Sequence, residues 1–349
     1  MQIPGKTFFA YLPFDALQIF QQVLLGHSDE NTCFSDFASL YNAFVAALKN
    51  KVQEIVAARC EQKVVRATGT ECDWQWLPDV PCTVVSVFEE GCIENGRSYL
   101  EGGPVYNVLS PHIGGLPDVV NSFYAVKKLV FEERKVTLAE LIRLLKNNWE
   151  DGEMLRKYAL NKYDYFGNDN DEVDCIAKDI INDFCDICSK LECGYKTPAG
   201  ISTFGRQLEW SCLRMATAFG RKAHDVLAGN FSPTPGTDKE GATAIIKSYC
   251  KADLKRTVSG AALDLKLLPS AVNGENGIES ICALIEGFAA LGGHFMQLDI
   301  ADAQLLKEAQ NHPEDYQNLS VRVSGWNARF VTLNKEWQDM IIAQTGSTF

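Results

Sequence analysis

The feature that most constrains the fold is a change of hydrophobic period near the C-terminal end of the sequence. Residues 278–291 repeat apolar side chains at helical spacing and stop at a glycine pair. Residues 294–300 (HFMQLDI) then alternate apolar and polar side chains as a strand does, and a short helix at 302–311 leads to a second extended run at 318–323. A strand, a helix and a strand at this spacing predict a βαβ unit with parallel strands and a right-handed crossover. The pattern therefore predicts an α/β fold.

Helical periodicity dominates the rest of the chain. The first 60 residues read as helical, with apolar side chains at helical spacing at Phe37, Leu40, Phe44 and Leu48. Further helices are predicted at 118–131, from the capping box of Thr137 and Glu140 onwards, at 172–191, and at 335–344 after the cap residue Asn334.

The composition favours a cytoplasmic globular protein. The chain has 349 residues and a net charge of −12, which excludes the basic surface that nucleic acids or anionic membranes require. No apolar run reaches the roughly 20 residues of a membrane-spanning helix. The apolar N-terminal segment TFFAYLPFDALQIF contains Pro13 and Asp15 and lacks a basic leader, so we predict buried structure there rather than a signal peptide.

Twelve cysteines raise the question of disulfides or metal binding. A chain of this length needs no disulfide staples, so we predict reduced thiols. Cys185, Cys188 and Cys193 form the densest group, but a second Cys-x-x-Cys pair that would complete a zinc or iron–sulfur site is missing. Because Cys185 and Cys188 lie one helical turn apart in an apolar-periodic segment, core packing is the favoured interpretation and no metal is predicted.

The common catalytic motifs are absent from the sequence. It contains no Gly-x-Gly-x-x-Gly after a strand, no P-loop, no His-Glu-x-x-His and no Gly-x-Ser-x-Gly. The five histidines fall into no metal-ligand spacing. These absences leave two classes open: a non-catalytic protein, or an enzyme with unusual chemistry.

One glycine offers such chemistry. The segment VRVSGWNARFV (321–331) turns at Ser324 and Gly325, and a hairpin is its simplest interpretation. A glycine α-carbon has no side chain, so loss of an α-hydrogen leaves a planar radical that both flanking peptide groups delocalise. Such a radical requires a buried turn with apolar cover against oxygen. Gly325 is therefore a candidate radical site.

The segment 322–345 resembles the glycyl radical domain of the glycyl radical enzymes. The family pattern is Arg-Val-x-Gly-aromatic-x-Ala-x-Phe-Val-x-Leu, followed by a Gln-x-x-Ile-Ile helix. The matching positions are Arg322, Val323, Gly325, Trp326, Ala328, Phe330, Val331, Leu333, Gln338, Ile341 and Ile342. The sequence departs from the pattern at Trp326, where tyrosine is usual, and at Gln344 and Thr345, where an Arg-Thr pair is usual.

The resemblance extends over most of the chain. The similar segments are 92–107, 118–133, 168–174, 219–244 and 292–300. Phe219 and Asn230 stand where the family usually has acids. The resemblance implies an α/β fold that forms half of a ten-stranded α/β barrel of the pyruvate formate-lyase type, with surrounding helices and a C-terminal glycyl radical loop. It divides the chain into the C-terminal part of the barrel domain (1–215) and a glycyl radical domain (216–349).

The resemblance also implies roles in the radical loop. Gly325 is expected to store the radical, while Arg322, Ser324, Trp326 and Phe330 are expected to pack the loop rather than react. In the family, a radical S-adenosylmethionine enzyme with an iron–sulfur cluster generates this protein-derived glycyl radical. That activating enzyme is an expected partner, and the chain itself is expected to bind no cofactor.

The family's second reactive group is a cysteine that passes hydrogen between substrate and glycyl radical. Cys92 in EEGCIENG imitates the family's Gly-Cys-x-Glu loop, with Glu94 as the would-be base. The segment PGKTFF (4–9), however, resembles residues that follow that loop, so the thiyl loop should precede it. The resemblance therefore implies a radical-bearing C-terminal subunit of a split enzyme, with a cysteine-bearing N-terminal half or large subunit as partner.

Three functions are compatible with these observations. The first is a radical elimination or lyase reaction on a small polar substrate, with dehydration favoured and decarboxylation open. The second is a non-catalytic repair or scaffold subunit that replaces the glycyl domain of a damaged enzyme. The third is a degenerate subunit kept for assembly, which the intact Gly325 motif argues against. The neighbouring gene separates the first two, since it encodes either a cysteine-bearing first half or an intact enzyme.

Overall fold

The computed structural model describes residues 5–26, 34–60, 82–300, 302–323 and 326–345. The strands within these ranges are β1 (Thr7–Asp15), β2 (Tyr106–Gly114), β3 (Gly200–Ile201), β4 (Ala262–Leu267), β5 (Phe295–Ile300), β6 (Ser320–Val323) and β7 (Trp326–Arg329). The α-helices are α1 (Ala16–Leu25), α2 (Phe37–Cys60), α3 (Thr83–Ser86), α4 (Cys92–Asn95), α5 (Leu116–Val126), α6 (Leu138–Lys146), α7 (Glu153–Lys162), α8 (Asp171–Ser189), α9 (Gln207–Ser211), α10 (Gly241–Lys251), α11 (Gly274–Ala290), α12 (Ala303–Asn311) and α13 (Lys335–Thr345). The α/β class is confirmed.

The parallel strands form two small sheets that meet at one point. β1 pairs with β2 over its full length, and β2 pairs with β3. β4 pairs with β5, with Asp264 opposite Gln297. An isolated parallel bridge between Ile201 and Ala261, with a hydrogen bond of 2.8 Å from Ile201 N to Gly260 O, joins the two sheets. Because these sheets are small, half of a ten-stranded barrel stays a prediction.

The predicted βαβ unit is wrong in its partners, since the strand at 294–300 does not pair with the strand at 318–323. β5 pairs in parallel with β4, and β6 pairs antiparallel with β7. Such a unit exists one element earlier, as β4, α11 and β5. The alternating segment ALDLKL (262–267) provides three buried leucines for β4, while the short connection between β6 and β7 favours a hairpin.

The N-terminal segment also differs from its prediction. Thr7–Asp15 is a strand and not part of a helix, because its aromatic and β-branched residues suit a position beside β2. Asp15 ends the strand and caps α1, since its Oδ1 accepts a hydrogen bond from Leu17 N at 2.9 Å. The ends of the strand are buried, at Phe8 and Phe14 among others.

The main core is built around α5, in which every residue is buried. The ring of Phe123 in this helix packs edge-on against Phe20 of α1 and Phe44 of α2, with ring centroids 4.7 and 5.2 Å apart. Leu40, Phe44 and Leu48 are fully buried, as their spacing predicts. Burial of side chains of this size stabilises by roughly 1.5–3 kcal/mol each, so the cluster holds α1 and α2 against α5.

The predicted packing of α6 and α8 is confirmed. Thr137 Oγ1 accepts a hydrogen bond from Glu140 N at 3.2 Å and caps α6. Cys185 and Cys188 of α8 are buried in the main core, and burial raises the pKa of the Cys185 thiol to about 11. Among the described residues, no group of three or more His, Cys, Asp or Glu side chains could hold a metal ion.

The C-terminal segment has a small core of its own. The buried residues that form it are Leu306, Ala309, Val323, Phe330, Met340 and Ile341. We call α12, β6, β7 and α13 together the hairpin unit. The half-buried side chains of Leu208 and Val226 pack against its core. The predicted domain boundary between residues 215 and 216 stays a prediction. No helix in the described ranges is long and apolar enough to cross a membrane.

Candidate functional site

The hairpin of β6 and β7 confirms the simplest interpretation of its sequence. Val323 pairs with Trp326, so residues 324 and 325 connect the two strands. These two residues, Ser324 and Gly325, lie outside the described part of the chain. Val323 is buried immediately before the connection. The described geometry therefore concerns the residues that hold the two ends of this connection.

Phe330 holds the hairpin to the helices of the hairpin unit. Its side chain is fully buried in the small core. Its backbone N–H donates to Leu319 O at 2.9 Å, and its carbonyl oxygen accepts a hydrogen bond from Gln338 Nε2 of α13 at 3.0 Å. Side chain, N–H and carbonyl all have partners, which is the environment of a packing residue.

Arg322 joins the hairpin to the parallel strands. Its side chain is exposed, and its Nε donates to Gln297 Oε1 of β5 at 2.9 Å. Its Nη1 lies 3.4 Å from Asn327 Oδ1 across the hairpin. At the other end of the hairpin unit, Lys266 Nζ of β4 donates to Thr345 Oγ1 of α13 at 3.4 Å. These polar contacts connect the hairpin unit with the sheet of β4 and β5.

A cavity of about 550 Å³ is lined by residues of both parallel sheets. Its aromatic wall consists of Phe9, Tyr11, Phe204 and Phe295. Its larger polar side chains are His112, Arg206, Asn230, Asp264 and Gln297. Gln297 is also the residue that Arg322 contacts, so the hairpin and the cavity are neighbours. A cavity of this size and lining suits a small organic molecule.

The polar wall of the cavity consists of Asn230, Asp264 and Gln297. Asn230 Nδ2 donates to Asp264 Oδ2 at 2.6 Å. Gln297 Nε2 donates to both carboxylate oxygens of Asp299, at 3.1 and 3.0 Å. Burial raises the pKa of Asp264, although the hydrogen bond from Asn230 opposes this effect. The wall therefore combines a carboxylate and two amides beside an otherwise largely aromatic enclosure.

Lys266 lies two residues beyond Asp264 on β4, and its register partner on β5 is Asp299. Burial lowers the pKa of Lys266 to about 8, although the charges of Asp299 and Asp264 oppose this shift. Burial likewise raises the pKa of Asp299. Titratable groups with shifted pKa values beside a cavity are characteristic of functional sites.

His112 presents a neutral ring to the cavity. Its Nδ1 lies 2.8 Å from Ser202 Oγ, and its ring packs edge-on against Tyr11 with centroids 4.6 Å apart. Burial lowers the pKa of His112 to about 4, so the ring is uncharged at pH 7. Gly200 is required beside it, because a Cβ there would lie 2.3 Å from His112 Cε1. The guanidinium carbon of Arg206 lies 5.4 Å from the centroid of the same Tyr11 ring.

The loop that contains Cys92 is separate from the cavity. Cys92 is buried at the start of α4, and its Sγ would lie 2.8 Å from a Cβ on Gly103. Glu94 Oε2 accepts a hydrogen bond from Gly91 N at 3.0 Å. Burial, together with the charges of Glu89 and Glu94, raises the pKa of the Cys92 thiol. Neither Cys92 nor Glu94 lines the cavity, and their roles as thiyl and base stay predictions.

Sequence reasoning missed most residues of the cavity. The alternation of ALDLKL (262–267) could have indicated that Asp264 and Lys266 lie on the face opposite the leucines. No local pattern indicates that His112 and Arg206 reach the same cavity as Asp264, because only the fold brings these distant segments together.

Comparison with known families divides the chain into two parts. The family described as pyruvate formate lyase-like matches residues 18–208. The family described as glycine radical matches residues 227–331, which include the hairpin.

Individual relatives are longer than this chain. The chain is 32% identical over 272 residues to trans-4-hydroxy-L-proline dehydratase of Clostridioides difficile. This match covers 77% of this chain and 34% of the relative. It is 28% identical over 308 residues to the 4-hydroxyphenylacetate decarboxylase glycyl radical subunit of Clostridioides difficile (strain 630). That match covers 80% of this chain and 34% of the relative. The chain thus spans about a third of the length of the curated relatives it matches.

A solved structure shows the same arrangement at the level of the fold. The glycerol-bound form of the B12-independent glycerol dehydratase from Clostridium butyricum superimposes with a TM-score of 0.86 at 30% identity. The match covers 98% of this chain and 44% of that chain.

Proposed function

The chain belongs to the glycyl radical enzyme family, and from that premise we propose that it is the radical-bearing part of a glycyl radical dehydratase or lyase. Gly325 stores the unpaired electron, and the cavity beside the hairpin receives a small organic substrate. The observation that carries this proposal is the contact between Arg322 and Gln297, because it links the hairpin, which lies in the segment matched as glycine radical, to the polar wall of the cavity.

The residues on either side of Gly325 support a storage role. Val323 and Phe330 are buried in the core of the hairpin unit, and buried apolar neighbours limit access of water and oxygen to the hairpin. Arg322, Ser324, Trp326 and Phe330 pack the loop in this proposal and do not react. Residues 216–349 then form the glycyl radical domain, and residues 1–215 belong to the barrel domain.

The reaction begins with transfer of a hydrogen atom from a cysteine thiol to the α-carbon of Gly325. The S–H bond breaks, a Cα–H bond forms, and the unpaired electron moves to sulfur. The thiyl radical then takes a hydrogen atom from a substrate carbon, and elimination or bond cleavage follows in the substrate. Both dehydratases and a decarboxylase occur among the relatives, and we favour dehydration.

We place the reactive cysteine on a companion polypeptide rather than at Cys92. Cys92 does not line the cavity, and the segment PGKTFF (4–9) resembles residues that follow the thiyl loop of the family. The companion is a cysteine-bearing N-terminal half or large subunit. Together with the parallel strands of this chain it completes the ten-stranded barrel.

The surface of the chain supports such a companion. β1 and β5 each have one edge without a partner strand among the described residues. The apolar side chains of Val84, Phe88 and Ile93 are 75%, 77% and 72% exposed. Unpaired strand edges and exposed apolar surface favour association. We expect the chain to self-associate when it is made alone; a monomer with a single cooperative melting transition would count against a companion.

A radical S-adenosylmethionine activating enzyme with an iron–sulfur cluster is the second partner. It supplies the radical by removing one hydrogen atom from Gly325. Because glycyl radicals react with oxygen, we propose that the protein works anaerobically in the cytoplasm.

Electron paramagnetic resonance after anaerobic activation tests the proposal. The chain is incubated with its companion, an activating enzyme and S-adenosylmethionine, and we expect a doublet from coupling to one α-hydrogen. The doublet should be absent in Gly325→Ala. Gly287→Ala is a matched control that should retain it, because a Cβ at Gly287 meets no atom within 4 Å.

Exposure to air gives an independent readout of the same site. Oxygen should cut the activated backbone at Gly325 and release the segment 326–349, which mass spectrometry detects. Absence of both the doublet and the fragment with every activating enzyme and companion would refute the proposal. A doublet that persists in Gly325→Ala would place the radical elsewhere.

A further inference from the structure

The cavity contains a carboxylate whose hydrogen bonding is incomplete. Asp264 lines the cavity and its Oδ2 accepts a hydrogen bond from Asn230 Nδ2 at 2.6 Å. Among the described residues, no donor contacts Asp264 Oδ1. The backbone N–H of Asp264 donates to Ser232 Oγ at 2.8 Å, which fixes the residue on its strand. One carboxylate oxygen is thus occupied, and the other is available to a ligand.

The position of Asn230 determines which carboxylate oxygen is occupied. Asn230 Oδ1 accepts a hydrogen bond from Thr203 N at 2.9 Å, and the side chain is 6% exposed. The backbone donor sets the orientation of the amide, so its Nδ2 must face Asp264. The carboxylate is therefore held in one orientation before any ligand enters, which lowers the entropic cost of binding.

The rest of the cavity restricts the ligand to a molecule with an apolar body. The rings of Tyr11 and Phe204 pack edge-on with centroids 4.9 Å apart, and Phe295 lines the same cavity. The charges of Lys266 and Arg322 act on Asp264 against that of Asp299, and Arg206 lines the same cavity. A cationic ligand would meet repulsion from them, so an uncharged donor is favoured.

We propose that Asp264 is a substrate-binding residue whose Oδ1 accepts a hydrogen bond from a hydroxyl group. The substrate is an uncharged or anionic alcohol whose apolar body lies against the rings of Tyr11 and Phe204. The inference rests on the proposed function only in treating the ligand as the substrate. It narrows the small polar substrate expected from the sequence to an amphipathic alcohol.

The test is a titration of the purified 349-residue chain with two probes, followed by ligand-observed NMR. Benzyl alcohol and benzyl methyl ether both carry a ring, but only the alcohol can donate a hydrogen bond. A hydrogen bond to a charged acceptor contributes enough to change affinity by about tenfold. We therefore expect the Kd of the alcohol to be about tenfold lower than that of the ether.

Two matched variants locate the preference. In Asp264→Asn the amide oxygen can keep the hydrogen bond from Asn230, which leaves an NH₂ group in the place of Oδ1. The ratio of the Kd of the ether to that of the alcohol should then fall to about one. Asp299→Asn removes the same charge from the neighbouring strand, but Asp299 does not line the cavity. Its amide oxygen can still accept from Gln297, so the tenfold preference should persist in this control.

Three outcomes would overturn the inference. These are equal affinities of the two probes for the unmodified chain, a preference that survives in Asp264→Asn, and an equal loss of preference in Asp299→Asn. None of these measurements requires a radical. A failure here would leave the paramagnetic resonance test unaffected, and absence of the doublet would leave the probe preference intact.

Discussion

Asp118 is a buried carboxylate and Asp264 a half-buried one, and both have a raised pKa, yet their surroundings differ. Asp118 in the first turn of α5 accepts hydrogen bonds on both oxygens, from Ala228 N at 2.9 Å and from Thr234 Oγ1 at 3.0 Å. Asp264 has a donor on one oxygen only. Burial shifts the pKa of both groups in the same direction, so the pKa does not separate a structural carboxylate from a binding one. What separates these two residues is the cavity that Asp264 lines, together with its unoccupied oxygen.

The region around Asp118 is closed to ligands because its polar groups have partners within the chain. Arg221, whose charge opposes the raised pKa of Asp118, donates from Nη1 to Met215 O at 2.9 Å and from Nε to Asp225 O at 3.0 Å. These bonds shape the segment between α9 and α10, and the bonds from Ala228 and Thr234 to Asp118 hold it against the buried helix α5. The region around Asp264 instead borders a cavity, where an unoccupied oxygen can serve a ligand.

Replacing each carboxylate by alanine should give the largest contrast. Asp118→Ala leaves the buried donors of Ala228 and Thr234 without an acceptor, and each unsatisfied group costs about 1–3 kcal/mol. We expect the free energy of unfolding to fall by about 4 kcal/mol. Asp264→Ala should lower it by less than about 1.5 kcal/mol, because the donor of Asn230 can then bond to water in the cavity. Urea denaturation measures both, and similar losses in the two variants would remove the distinction.

Phe330→Ala should separate the hairpin unit from the main core. Loss of a buried aromatic ring leaves a cavity and costs about 3 kcal/mol. Hydrogen exchange should become faster in β6, β7 and α13, while the amides of α5 keep their protection. Equal acceleration throughout the chain would indicate that the two cores unfold as one.

The pH dependence of stability should contain a contribution from Asp118. Burial raises its folded pKa from 3.8 to about 6, so between these values the folded state binds the proton more tightly than the unfolded state. The contribution is fully present below pH 3.8, is lost as the pH rises to about 6, and stays absent above it. Urea titrations from pH 4 to 7 should show that the free energy of unfolding falls less in Asp118→Asn than in the unmodified chain. Parallel profiles would contradict the assignment.

Cys92→Ala should have the smallest effect. If the companion supplies the reactive thiol, this variant keeps the glycyl doublet, and its turnover with the companion stays within about twofold. Cys92→Ser is a closer match in size and should behave in the same way. Loss of turnover with an intact doublet in both variants would identify Cys92 as the thiyl residue and would remove the need for a companion cysteine.

The sequence predicts the parts of this molecule that depend on neighbouring residues. The helices α5, α6, α8, α11, α12 and α13 follow from local periodicity and caps, and the radical motif lies within one continuous segment. The prediction of strand pairing from the sequence fails, because β5 pairs with a segment about thirty positions earlier rather than with the next extended run. The sequence does not predict the polar wall for the same reason, since Asn230, Asp264 and Gln297 meet only after the sheet has formed.

The bridge between Ile201 and Ala261 is the narrowest connection between the two parallel sheets. Backbone hydrogen bonds from Ile201 N to Gly260 O and from Ser259 N to Ala199 O are the links at this point. The hydrogen bond between Ser110 Oγ and Ser259 Oγ, at 2.7 Å, reinforces this joint. Tyr11 and His112 lie on one side of it, and Asp264 and Phe295 on the other. Each sheet therefore supplies one side of the cavity, and the distance between its aromatic and polar walls depends on how this joint holds the two sheets together.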